Sequence, residues 1–173
     1  MKVNIMEVAH FIKDHNLSPR CQTESESAAM TDALVSGHDS VDMPDNYWAL
    51  LVKRDADIKS KQAKWDSEYS AISQHRIAGM KREAEDDIDA AIIEYAESIR
   101  LGVSAENDMY HAFAHSYSRI IILLDKVKRY AEEIDYIVAL LNRSVSDSDR
   151  NKYSARLVKT KEKLKKQCER GSI

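Results

Sequence analysis

Apolar residues recur at helical spacing along most of the chain. In "MKVNIMEVAHFIKDHN", Ile5, Val8, Ala9 and Ile12 are spaced 3, 1 and 3 apart, which predicts a short amphipathic helix within residues 3–16. Ser18-Pro19 and a polar run then break the pattern, and a second short helix is expected over about 24–35, before Gly37. "SGHDSVDMPD" reads as a loop whose composition tolerates disorder. From Asp45, a candidate N-cap behind Pro44, no Pro or Gly interrupts the chain until residue 79. That stretch allows one long helix, or two antiparallel helices with a break near 59–67 that would bury more of Trp48, Trp65, Tyr69 and Ile72. Four further helical segments follow at roughly 70–84, 87–101, 107–127 and 130–143, joined by "EAEDD", "LGVSAEND" and "DKVKR". A last helix is predicted over about 148–169, capped by Asp147 or Ser148, with a thin apolar stripe of Tyr153, Leu157, Leu164 and Cys168.

Within this array the pattern repeats. Aligning residues 74–102 with 116–144 at an offset of 42 sets His75 on Tyr117, Ala78 on Ile120, Gly79 on Ile121, Ile88 on Tyr130, Ile92 on Ile134 and Tyr95 on Ile137. Gly79 is costly inside a helix, by roughly 1 kcal/mol relative to Ala, and calls for a packing reason. Close approach of two helix backbones at Gly79 and Ala91 supplies one.

These residues resemble the tetratricopeptide repeat, a helix–turn–helix unit of about 34 residues that stacks into a solenoid. Ala78-Gly79 and "IDAAI" fit its slots in the first unit; Tyr117, Ile120, Leu124 and "RYAEEI" fit them in the second. The resemblance covers residues 72–143. It departs at Ile121 in the glycine slot, at Glu133 in a small slot, in the absence of a closing Pro, and in a long linker around 102–114. It implies an all-α fold of antiparallel hairpins in a short right-handed solenoid. The repeat-packing set would be Ala78, Gly79, Ala91, Tyr95, Tyr117, Ile120, Leu124, Tyr130 and Ile134. It further implies a groove lined by first helices, here Arg76, Met80 and Glu83 with His115, Ser118, Ile122, Asp125 and Lys126. Clamps for a peptide C-terminus in that family need a basic and an amide residue one turn apart. Arg76 has Met80 at that distance, so a hydrophobic or helical ligand is expected instead. Two units bury little surface alone, so flanking helices at 45–70 and 148–169 are expected as caps. The resulting organisation is an N-terminal segment 1–44 of short helices and polar loop, a repeat domain 45–147, and a basic capping helix and tail 148–173.

Composition agrees. Four Gly and two Pro in 173 residues suit long helices and short connections, and 43% apolar residues suffice for a core. A formal net charge of −3 argues against a globally nucleic-acid-binding chain. Residues 150–170 are the exception, with nine Lys or Arg against two Glu, which allows phosphate contact or an acidic partner. Cys21 and Cys168 match no disulfide framework or metal spacing. The N-terminus lacks the apolar core of a secretory signal, and "IIILL" at 120–124 is far too short to span a bilayer, so a cytoplasmic protein without membrane contact is expected.

Chemistry is sparse. His111 and His115 share a helix face one turn from Asp108, but Ala112 stands where a metalloprotease motif has Glu, so these are expected to be ordinary imidazoles and no metal site is assigned. The five carboxylates of "EAEDDID" (Glu83 to Asp89) lack calcium-loop spacing and are expected to complement the dipole of the following helix. No base flanks Cys21, and the four glycines are isolated, so neither a nucleophile nor a phosphate loop is formed. No cofactor and no catalytic residue are expected. The functional expectation is a non-catalytic adaptor that binds another protein or peptide. The alternatives are nucleic-acid contact through the basic helix and a self-associating structural protein that forms a homodimer.

Overall fold

The computed structural model describes residues 1–143 and 146–171. Among these the protein is all-α apart from one small sheet. Strand β1 (Lys2–Asn4) precedes helices α1 (Ile5–Asp14) and α2 (Glu24–Val35). Strand β2 (Ser40–Asp42) precedes α3 (Tyr47–Ala84), α4 (Ile88–Ser104), α5 (Tyr110–Lys126), α6 (Tyr130–Leu141) and α7 (Asp147–Gly171). The end of the second repeat at Ser144 and the tail residues 172–173 lie outside the described residues.

The chain divides into two compact units, Met1–Trp65 and Asp66–Ile173. In the first, β1 and β2 pair antiparallel with Val3 opposite Val41. The 36–45 loop is therefore partly sheet, and the segment 1–44 does not stand alone. Tyr47 and Leu51 of α3 bury with Val3, Val8, Cys21, Met30 and Met43. The expected boundary at residue 45 thus moves to residue 65. Polar ties accompany this core: the Ser18 N–H donates to Asp55 (2.6 Å), and Arg54 pairs with Glu26 (2.7 Å). Thr23 and Glu26 form a capping box that starts α2.

α3 is one uninterrupted helix, without the break considered near 59–67. Residues 59–64 are exposed and mostly good helix formers (Lys59, Lys61, Gln62, Ala63, Lys64), and each end of α3 buries residues in its own unit: Tyr47 and Leu51 in the first, Ile72 in the second. It starts at Tyr47; the Asp45 carboxylate accepts from the Met1 ammonium (3.0 Å).

In the second unit, helices consecutive in the chain run antiparallel. Ser116 on α5 donates to Ser98 on α4 (3.0 Å), and Arg143, just after α6, lies over the Phe113 ring of α5 (5.1 Å to its centre). Glu133 on α6 takes Arg156 of α7 (2.7 Å). The 148–173 segment is accordingly part of this unit. Ser146 begins α7, accepting from the Asp149 N–H (3.1 Å), in place of the expected Asp147 or Ser148. Asp87 caps α4, accepting from the Ala90 N–H (3.3 Å).

The period of 42 is visible in the backbone. Asp86 and Lys128 both take left-handed conformations (φ 57° and 60°), and equivalent N–H···O bonds close both turns. The same bonds end α1 at Asn16 and α2 at Gly37, so the turn is a general helix stop. What repeats is its position, with α4 and α6 each beginning two residues later.

Candidate functional site

Gly79 is buried on the face of α3 that meets α4. A Cβ built there would lie 2.8 Å from Cδ1 and from Cε1 of Tyr95, so the missing side chain seats an aromatic ring. Ala91 and Tyr95 are fully buried beside it. A second glycine does the same work and was not legible as such. Gly102, expected in a connecting segment, lies inside α4, and a Cβ there would fall 2.0 Å from Phe113 Cδ1. Of the other residues expected to pack, Tyr117, Ile120 and Leu124 are buried, while Ala78, Tyr130 and Ile134 are half-buried. Glu133, in a slot that favours small residues, is fully buried: its Oε1 accepts from Arg156 Nε and from Thr160 (3.1 Å), and its Oε2 has no partner.

α3 and α5 run parallel. Tyr69 stacks on His111 (centroids 5.9 Å apart), Arg119 Nε donates to Glu83 (3.1 Å), and Lys126 pairs with Asp86 (3.0 Å). α5 and α7 also run parallel, through Ser118–Tyr153 (2.9 Å), Asp125–Lys163 (2.5 Å) and Gln167 to the Lys128 carbonyl (3.3 Å). Three parallel helices thus lie side by side, with α4 and α6 antiparallel to them.

Between α3 and α5 lies an open cavity of about 390 Å³, lined by Met80, Glu83, Ala84, Tyr95, His115 and Arg119. Three of its polar groups, Glu83, Tyr95 and Arg119, are bonded to one another. Glu83 accepts from the Tyr95 hydroxyl (3.0 Å) and from both Nε and Nη2 of Arg119. The Arg119 guanidinium holds the Glu83 carboxyl below the usual carboxylate range. Burial, reinforced by Glu83, pushes the Tyr95 phenol up to about 12. Burial together with the cations of Arg76 and Arg119 lowers the His115 imidazole. His115 therefore favours its neutral form, which accepts a hydrogen bond as well as donating one.

Of the expected groove residues, Met80, Glu83 and His115 come together at this cavity, and the charge of Arg76 reaches His115. Met80 is 46% exposed and Ile122 42% exposed. Ser118 and Asp125 are bonded to α7, and Lys126 to Asp86, so these three join helices together. Arg119 and Ile77 were not anticipated. Arg119 meets Glu83 across 36 residues, which no local spacing reveals, whereas Ile77 is an apolar residue left 57% exposed on α3. Of the acidic cluster, Asp87 serves as the expected cap; Glu83, Asp86 and Asp89 instead reach Arg119, Lys126 and Arg129.

Among the described residues no group of three or more His, Cys, Asp or Glu is placed to hold a metal ion, and no helix is long and apolar enough to cross a membrane. Asp108, which the sequence sets one turn before His111, accepts from the Tyr110 N–H (3.1 Å). Comparison with known proteins finds no matching family model, no matching curated protein and no matching solved structure.

Proposed function

We propose that residues 66–171 form a recognition module, similar to a short tetratricopeptide-like solenoid, that holds a peptide or a partner helix on the surface formed by α3, α5 and α7. The observation that carries this reading is the exposure of Met80 and Ile122 on two parallel helices, beside a cavity whose charges already neutralise one another. Met80 lines the cavity and Ile122 stands about one turn beyond Arg119 on α5, and exposed apolar side chains beside a concavity favour a partner that covers them. The paired charges around them need no counter-ion and add orientation through His115. The alternation of parallel and antiparallel helices, the seat for Tyr95 at Gly79 and the recurrence of the turn after 42 residues support the likeness to stacked hairpins. α7 takes the place of a further first helix and closes the stack with Tyr153, Arg156 and Thr160. The reading assigns no reaction.

The test is partner capture with a double variant. Met80→Asp with Ile122→Asp places two charges on exposed positions, so helical circular dichroism and melting should be retained while capture of the native partner is lost. Capture at undiminished yield by the folded variant contradicts the groove.

A further inference from the structure

Resting on that reading, we infer that the partner segment is acidic as well as apolar, and that one face of α7 recognises it. Lys152, Lys159, Lys163, Lys166 and Arg170 are spaced 7, 4, 3 and 4 apart. At about 100° per residue they fall within roughly 40° of a single line and span about 27 Å. All five are exposed. Lys163 is neutralised by Asp125, but among the described residues Lys159, Lys166 and Arg170 have no acid within salt-bridge distance. Near the C-terminal end of this line, Lys163, Lys166 and Arg170 converge with Lys128 around a concavity of about 290 Å³.

The stripe adjoins the groove. On α5, Ile122 stands between residues bonded to α3 (Arg119, Lys126) and residues bonded to α7 (Ser118, Asp125). On α7, Lys163, Arg156, Gln167 and Tyr153 meet α5 or its end at about 20°, 40°, 60° and 100° round the helix from Lys152, whereas Thr160 and Arg150 meet α6 at about 80° and 160°, so the stripe lies on the α5 side. The cations therefore border Ile122 on the side opposite Met80. Glu83 and Asp125 are already paired, and Glu162 and Glu169 lie about 80° and 100° round α7 from Lys152 on the flank away from α5, so the unbalanced charge of the stripe is positive on a chain whose formal net charge is −3. An acidic segment completes it. A polypeptide fits better than a nucleic acid. Met80, Ile77 and Ile122 give it apolar contact, whereas Tyr153 is buried and the basic concavity is lined by a single half-buried ring, Tyr130, with Lys163 over it, where base stacking uses successive rings.

The experiment measures fluorescence anisotropy of a labelled amphipathic peptide of repeating Glu-Glu-Leu-Leu against the full chain. Its Lys-for-Glu counterpart and a single-stranded oligonucleotide of equal negative charge serve as the other probes. The acidic peptide should bind, the basic one should not, and the oligonucleotide should bind more weakly than the peptide. Reversing Lys159, Lys166 and Arg170 to Glu should weaken the acidic peptide at least about tenfold. Equal binding of the two peptides, indifference to the triple reversal, or tighter binding of the oligonucleotide overturns the inference. The Met80→Asp/Ile122→Asp variant separates the two readings. If it abolishes binding while charge reversal does not, the groove stands and the acidic assignment falls. If only charge reversal matters, the acidic partner stands and the groove falls.

Discussion

Replacing Gly79 by Ala sets two effects of known sign against each other. In an exposed helix interior the change stabilises by about 1 kcal/mol, because Ala loses less backbone entropy on folding. Here the new methyl would stand 2.8 Å from two carbons of the Tyr95 ring and 3.1 Å from a third. Ordinary contact begins near 3.4 Å, so the ring or the helix must retreat by about 0.6 Å. The ring is fully buried and its hydroxyl is tied to Glu83 at 3.0 Å, so retreat loosens packing and that hydrogen bond together. Overpacking of this kind costs about 1–3 kcal/mol, which outweighs the propensity gain and leaves Gly79→Ala destabilised by about 1 kcal/mol. Urea unfolding measures it, with the midpoint falling at unchanged m-value. The decisive arm is the same change in a Tyr95→Ala background, where the steric conflict is gone and Gly79→Ala should become stabilising. A coupling of about 2 kcal/mol with reversal of sign is expected. Stabilisation by Gly79→Ala in the unaltered protein would refute the reasoning.

Three further outcomes follow from the same structure. Gly102→Ala, whose methyl would fall 2.0 Å from Phe113, should destabilise more than Gly79→Ala in the same urea assay. Arg156→Ala strands the buried Glu133 carboxylate and should cost about 3 kcal/mol; Glu133→Leu, which removes the charge and the unpartnered oxygen together, should cost much less in calorimetry. Tyr95, raised to about 12, contributes stability that is complete below pH 10 and is lost as pH climbs from 10 towards 12, because the unfolded chain gives up that proton first. Unfolding free energies between pH 8 and pH 11 should fall more steeply for the unaltered protein than for Tyr95→Phe.

Elements whose causes are local were legible. The span of α2, the ends of α4 to α7 to within a few residues, and the cap at Asp87 follow from periodicity and from the scarcity of Gly and Pro. The two strands were not, since each is three residues long and they pair across nearly forty positions. α3 stayed ambiguous because its middle carries no apolar face, and which core each end joins is a tertiary matter. Gly79 announced a close approach, but Gly102 next to Ser104 and Ala105 looked like a joint, and its purpose depends on Phe113 of the next helix. At the candidate groove, Met80 and Ile122 were expected through the likeness to the tetratricopeptide repeat, and both are exposed. The Glu83–Arg119–Tyr95 network, made of contacts 12 and 36 residues apart, was invisible to local spacing.

Recognition through α3 and α5 is tested most directly by methyl NMR of the full chain titrated with the acidic amphipathic peptide. The methyl signals of Met80 and Ile122 should shift or broaden as peptide is added. Those of Ile93 on α4 and Val138 on α6, which are also exposed, should stay in place. Movement at Ile93 and Val138 with Met80 and Ile122 unmoved would contradict the account.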